Sequence, residues 1–154
     1  MNPKSEDGKE RGIDSLHILV SIDRRNKYRS GNMVPNKGCN AHAIRSVVRE
    51  IDLAGYNRII IKSDQEPAIL AMVEGLVRLR AEKGAGETIP ENSPTYSSQS
   101  NGVVERGIQS VEGMIRSLRS ALEERIGEKL EIKDAIWPWL VEYASYLLHR
   151  MEVG

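Results

Sequence analysis

The sequence has one cysteine, three histidines and no surplus of either charge, and each shortage removes a class of function. A lone Cys39 excludes an internal disulfide, and His17, His42 and His149 stand too far apart in the chain to leave a zinc-ligand spacing. A reducing compartment fits that usage. Lys plus Arg total 22 and Asp plus Glu total 22, so whole-chain charge makes no case for a nucleic-acid partner. Only a local basic surface, or a separate basic segment, would supply one. No run approaches the ~18 consecutive apolar residues of a membrane helix. The opening MNPKSEDGKERG has no apolar residue after its Met and lacks the apolar centre of a signal peptide. Residues 1–14 are therefore expected to be a disordered, solvated polar tail, and the protein to be soluble and intracellular.

What is present is an ordinary globular composition, 40% hydrophobic and 29% charged, over 154 residues. A chain of that length buries roughly 70% of its unfolded surface, enough for a core, and residues 15–154 read as one domain. Ser15 to Asp23 (SLHILVSID) places five apolar residues in seven positions, as in a strand covered on both faces. After the polar turn DRRNK, Tyr28 to Pro35 is a weaker strand that predicts an antiparallel hairpin, with Gly31 as its weak point. Ala43, Ile44, Val47, Val48 and Ile51 recur at helical spacing from Ala41 to Leu53, and Gly55 stops the helix. Arg58 to Lys62 (RIIIK) reads as a buried strand, and a strand after a helix suggests parallel pairing. A helix follows from Pro67, fraying by Lys83 to Gly86, and Glu87 to Pro90 reads as a short edge strand. Asn92 to Gly102 is rich in Ser, Asn, Pro and Gly and is expected to be a polar loop, with Ser100 or Asn101 capping the next helix. Val104, Ile108, Val111, Ile115, Leu118 and Leu122 then form one apolar stripe of a long helix. A last helix carries Trp137, Leu140, Val141, Ala144, Leu147 and Leu148 behind Pro138.

Two carboxylates have positions that suit chemistry. Asp64 directly follows the strand RIIIK, and ligands gather at the carboxyl ends of strands in α/β sheets. The plainer reading is that Asp64 caps the helix begun by Pro67. Glu105 lies early in the long helix, at the border of its apolar stripe, where it either faces a cleft or is a solvated acid favoured near a helix amino terminus. Carboxylates from a strand end and a facing helix suit a hard divalent cation. Asp52, Glu50, Glu123, Glu124, Glu128 and Glu131 lie in polar settings and are assigned no role.

Read together and in this order, IKSDQEPAI (Ile61 to Ile69) and SPTYSSQSNGVVER (Ser93 to Arg106) resemble the catalytic-core motifs of retroviral and retrotransposon integrases. WPWLVEYASYLLHR, Trp137 to Arg150, resembles the helix that follows there, so the likeness runs from about Leu16 to the chain end. The loop leading to Glu105 is its specific part. The resemblance implies an α/β, RNase H-like fold with a mixed sheet flanked by helices. It also implies that the first strand, bearing the first Asp of a three-carboxylate set, is missing, because SLHILVSID matches the second. Asp14 and Asp23 are the nearest substitutes, the latter placed where Asp favours a turn. The separation of Asp64 from Glu105 exceeds that of many family members, which an insertion around Glu82 to Glu87 would accommodate.

By the same resemblance Asp64 and Glu105 are the metal-holding catalytic residues of a two-metal Mg2+ or Mn2+ site. Ser98, Gln99, Ser100 and Asn101 would sit in a mobile loop near DNA, and Lys62, Arg106, Arg116 and Arg119 are candidates for phosphate contact, against the default of a solvated surface. The expected activity is that of an integrase-type polynucleotidyl transferase core of a retrotransposon, impaired by loss of the first Asp. Expected partners are DNA, in the nucleus when chromosomal, and a second copy of the chain, with no membrane. The alternative is a degenerate or domesticated fragment serving as a nucleic-acid-binding or protein-interaction module, with Trp137, Trp139 and Tyr143 in an apolar contact. A cellular RNase H-like nuclease would leave SQSNGVVER unexplained.

Overall fold

A computed structural model describes residues 16–36, 38–92 and 98–151, with 98–101 by backbone alone. Eight elements follow in order: β1 (His17–Ile22), β2 (Arg29–Val34), α1 (Ala41–Leu53), β3 (Arg58–Ser63), α2 (Pro67–Glu82), β4 (Glu87–Asn92), α3 (Ser98–Ile126) and α4 (Trp137–Met151). The expected α/β class holds. The mixed sheet, however, is divided in two: β1 pairs antiparallel with β2, and β3 pairs parallel with β4.

Side-chain alternation on the hairpin builds three layers. Ile18 and Val20 of β1, Leu16 ahead of it and Met33 of β2 pack with α3 and α4 around Val111, Ile115, Trp137, Leu140, Val141 and Ala144. Leu19 and Val34 point the other way, into a second cluster with Ala43, Ile44, Val47, Val48, Met72 and Leu76 of α1 and α2. Period-two alternation sends neighbouring residues to opposite faces, so one hairpin feeds both clusters. Polar residues on the α1 side are satisfied by a single acid. Ser30 Oγ and Ser21 Oγ lie 2.5 and 3.1 Å from Glu50 Oε2, and Asn32 Nδ2 donates to Oε1 at 2.8 Å.

Gly31 is the point where α4 crosses β2. A Cβ there would lie 2.7 Å from Ser145 Oγ and 3.2 Å from Val141 Cγ1, so the residue that weakened the strand reading is what admits the helix. Gly107 does the same for α3, whose approach leaves no space for a side chain beside Ile22.

β1 is covered on both faces as expected, Ile18 and Val20 toward α3 and α4 and Leu19 toward α1 and α2. Two other expectations need correction. β3 alternates exposed and half-buried residues, with Ile60 61% exposed. The reason is one-sided cover: Ile61 of β3 packs into the α1–α2 cluster, while Ile60 faces away from it. On α3, Val111 and Ile115 are buried, but Val104 and Ile108 are 39% and 36% exposed. The close approach at Gly107 turns the buried face toward Gly107 and Val111 and leaves the first part of the expected stripe outside.

Pro90, the expected end of β4, stands opposite Ile61, and the strand continues through Glu91 to Asn92. Among the described residues no helix is long and apolar enough to cross a membrane. Asp14 and the expected polar tail lie outside the described residues.

Candidate functional site

Asp64 lies one residue beyond β3 and is exposed. The capping reading does not hold: the N-cap of α2 is Glu66, whose carbonyl accepts from Ile69 and Leu70 N–H, with Pro67 at the first helical position. Asp64 instead accepts a neighbouring backbone bond, Gln65 N–H to Oδ1 at 2.7 Å. The carboxylate is thereby oriented at a strand end without being committed to the helix.

Parallel pairing decides what lies beside it. β3 and β4 run in register from Arg58↔Glu87 to Ser63↔Asn92, so both strands leave the sheet at one edge. Asp64 follows the first; residues 93–97, outside the described set, follow the second and lead into α3 at Ser98. Six Cα steps reach at most about 20 Å, which confines the start of α3 to the neighbourhood of that edge. Glu105 lies seven residues into the helix, about 10 Å along its axis, and is exposed. Two residues later Gly107 packs against Ile22, which fixes this turn of α3 on the hairpin. Among the described residues, no three acids, histidines or cysteines come together as a metal-ligand group.

Asp23 belongs to the other end. Its Oδ1 takes the Arg25 N–H at 2.8 Å in the hairpin turn, and hydrogen bonding to its carboxylate is the main cause raising the pKa of the Tyr56 hydroxyl. Tyr56 precedes β3 and Asp64 follows it, so the six-residue strand, about 20 Å of extended chain, separates the two acids. Asp23 serves its turn and lies near Tyr56, and because its neighbour Ile22 meets Gly107 it is placed toward the Glu105 turn of α3 rather than beside Asp64.

The polar segment before Glu105 also differs from expectation. Ser98, Gln99, Ser100 and Asn101 form the first turn of α3 rather than a loop or cap, since the helix begins at Ser98. With no Pro between Pro94 and Pro138, the long helix propagates backward through Gly107, Gly102 and residues of middling propensity to Ser98. Arg106 lies on the exposed surface and its Nε donates to Gly102 carbonyl at 3.1 Å. Lys62 faces Glu91 across the strands at 2.8 Å, with both side chains about half exposed. Arg116 pairs with Glu112 at 3.9 Å. Arg119 is held more tightly, 2.7 Å from Glu123 Oε1 and 5.6 Å from the Trp137 ring centroid.

Three features escaped the sequence reading. Trp137 is buried, its Nε1 donating to Glu131 carbonyl, and is parted from Trp139, which is 53% exposed on the opposite side of α4. Glu123, assigned no role, is a buried acid clasped by Lys129, Arg119 and the Leu130 N–H, which hold its pKa down at about 2. Arg80 is fully buried. Only the spacing of residues 139, 143, 146 and 150 carried a sequence signal; a buried Arg or Glu has none, because partners remote in sequence decide it.

No family model and no curated protein matches the sequence. The fold is similar to the catalytic core domain of BIV integrase, at a TM-score of 0.54 and 18% identity, over 90% of this chain and 78% of that one. At that identity the likeness concerns the fold.

Proposed function

We propose that this chain is an integrase-type polynucleotidyl transferase core acting on DNA, with Asp64 and Glu105 as its cation-holding carboxylates. The observation that carries the reading is the parallel β3–β4 pair, which releases Asp64 and the segment leading to Glu105 from one sheet edge. The fold likeness to an integrase catalytic core supports it.

The donor set fits a hard cation: both carboxylates are exposed, and a magnesium-like ion keeps several waters and needs only one or two acids. Bound there, a magnesium or manganese ion supplies Lewis acidity that activates a water or a DNA 3′ hydroxyl and stabilises a leaving oxygen. Asp64 and Glu105 hold the cation and are not nucleophiles. Gln99, Ser100, Asn101 and Arg106 would meet the DNA from the first turns of α3, and Lys62 would exchange Glu91 for a phosphate. With equal numbers of acidic and basic residues, affinity for DNA should be modest and strongly salt-dependent.

Calorimetric titration with Mn2+ and Mg2+ tests the site. The wild-type chain should bind, and Asp64→Asn and Glu105→Gln should each lose affinity by at least the ~10–100-fold that outer-shell changes cost. Unchanged affinity in folded variants would remove the assignment. No binding by the wild type would favour the second reading, a non-catalytic interaction module, which the exposed rings of α4 support.

A further inference from the structure

The tip of the β1–β2 hairpin, DRRNK, concentrates positive charge that the rest of the chain spreads out. Arg24, Arg25 and Lys27 are basic, Asn26 lies among them, and all four are exposed. The turn is fixed from inside. Asp23 Oδ1 accepts from Arg25 N–H and Asn26 Oδ1 from Tyr28 N–H, each at 2.8 Å, and Asp23 N–H donates to Tyr28 carbonyl at 2.8 Å. Lys27 takes the left-handed backbone of the reversal, at φ 63°. Both short polar side chains are thus committed to the backbone, and the remaining Asp23 oxygen is buried. Among the described residues no carboxylate pairs with Arg24, Arg25 or Lys27. Arg58, Lys62, Arg116 and Lys133, by contrast, each have an acid at 2.8, 2.8, 3.9 and 2.7 Å.

The place of the tip in the fold decides what these cations meet. Ile22 and Arg29 are partners across the hairpin and flank the turn. A Cβ on Gly107 would strike the Ile22 side chain and lie 3.8 Å from Arg29 Nε, so both ends of the turn stand against the part of α3 that carries Glu105 and Arg106. The Arg25 guanidinium lies 6.0 Å from the Tyr56 ring centroid, a contact that orients it before any ligand arrives. We propose that the tip is a phosphate clamp, in which Arg24, Arg25 and Lys27 bind the backbone of duplex DNA alongside the exposed Arg106. Duplex DNA carries one charge per ~1.7 Å of its axis, so a single turn bearing three cations faces several phosphates at once. Such contacts position a duplex without reading its bases. The tip therefore sets where DNA lies over the Glu105 turn, and it supplies the local basic surface that a chain of balanced charge otherwise lacks. The clamp rests on the DNA reading of the chain and is independent of whether a cation binds.

Fluorescence anisotropy of a labelled duplex oligonucleotide, titrated with the chain in EDTA at a series of KCl concentrations, reads the clamp. Wild-type affinity should fall as KCl rises. The triple variant Arg24→Gln/Arg25→Gln/Lys27→Asn, whose asparagine tolerates the left-handed backbone, should flatten the slope of log affinity against log salt by about 2–3, since each phosphate contact on B-DNA contributes ~0.9. A control, Arg78→Gln/Arg125→Gln/Lys133→Gln, removes the same charge from exposed positions on other elements and should move the slope by less than about 1. Circular dichroism confirms that each variant is folded. A folded tip variant with the wild-type slope, or a control that flattens it as much, would overturn the clamp while DNA binding stands. A wild type that binds no duplex at low salt would overturn the clamp and the DNA reading together, and neither result depends on the Mn2+ titration. A wild type that ignores the duplex but sediments with phosphatidylserine vesicles, where the tip variant does not, would assign the tip to an anionic membrane surface and overturn it too.

Discussion

Glu123 shows how a single buried acid can hold two segments together. It lies on α3 but gathers the far side of the following loop, with Lys129 Nζ at 2.8 Å and Leu130 N–H at 3.0 Å, while Arg119 approaches from one turn back at 2.7 Å. Charged hydrogen bonds favour the carboxylate over the acid, so its folded pKa falls from 4.5 to about 2. A depressed carboxylate contributes stability that is present above the unfolded pKa and is lost as pH falls through the folded one. The chain should therefore lose stability between about pH 4.5 and 2, and Glu123→Gln should flatten that part of the profile. Urea denaturation across this range checks it; an unchanged slope in Glu123→Gln would show that the clasp does not contribute. The stable ion pairs here are those with a buried member, since exposed pairs such as Arg58–Glu87 contribute ~0–1 kcal/mol.

Among the elements, β2 and α4 depend on each other through the missing side chain of Gly31. Gly31→Ala would drive a methyl into Ser145 Oγ, which is itself tied to Val141 carbonyl at 3.2 Å. Overpacking of this kind costs about 1–3 kcal/mol. Thermal unfolding should show that loss in Gly31→Ala, with substantial recovery in Gly31→Ala/Ser145→Ala, because the second change removes the atom the methyl meets. The same element marks the limit of the sequence reading. α1 was legible from Ala41 to Leu53 because its amphipathic period matches the face it buries, Ala43, Ile44, Val47 and Val48; the cap by Asn40, accepting from His42 N–H at 2.8 Å, was not read. Asp64 was legible as a strand-end acid because RIIIK announces its strand. The start of α3, the one-sided cover of β3 and the separation of Trp137 from Trp139 were not, since each is fixed by contacts between segments distant in the chain.

The whole molecule is two packed clusters that share a hairpin, and Arg80 ties one of them shut. From α2 it donates to Thr88 Oγ1 at 2.9 Å, Tyr56 carbonyl at 3.2 Å and Ala85 carbonyl at 2.7 Å, and pairs with Asp52 at 3.3 Å. It thus joins the end of α1, the approach to β3 and the turn into β4. A flat guanidinium with several fixed donors does this and an ammonium cannot, so even Arg80→Lys is disruptive. Arg80→Met should cost about 2–3 kcal/mol, less than a fully buried pair because Asp52 is 38% exposed and regains water. Hydrogen exchange should locate the loss, with faster exchange at β3 and β4 amides and little change in α4. Uniform acceleration would show one cooperative unit instead.

Pro90 gives the molecule a direction of growth. Strand edges invite endless addition of further chains, and a proline there withholds a donor from any newcomer while the exposed acids Glu87 and Glu91 flank it. β4 is consequently a poor template for fibrous stacking.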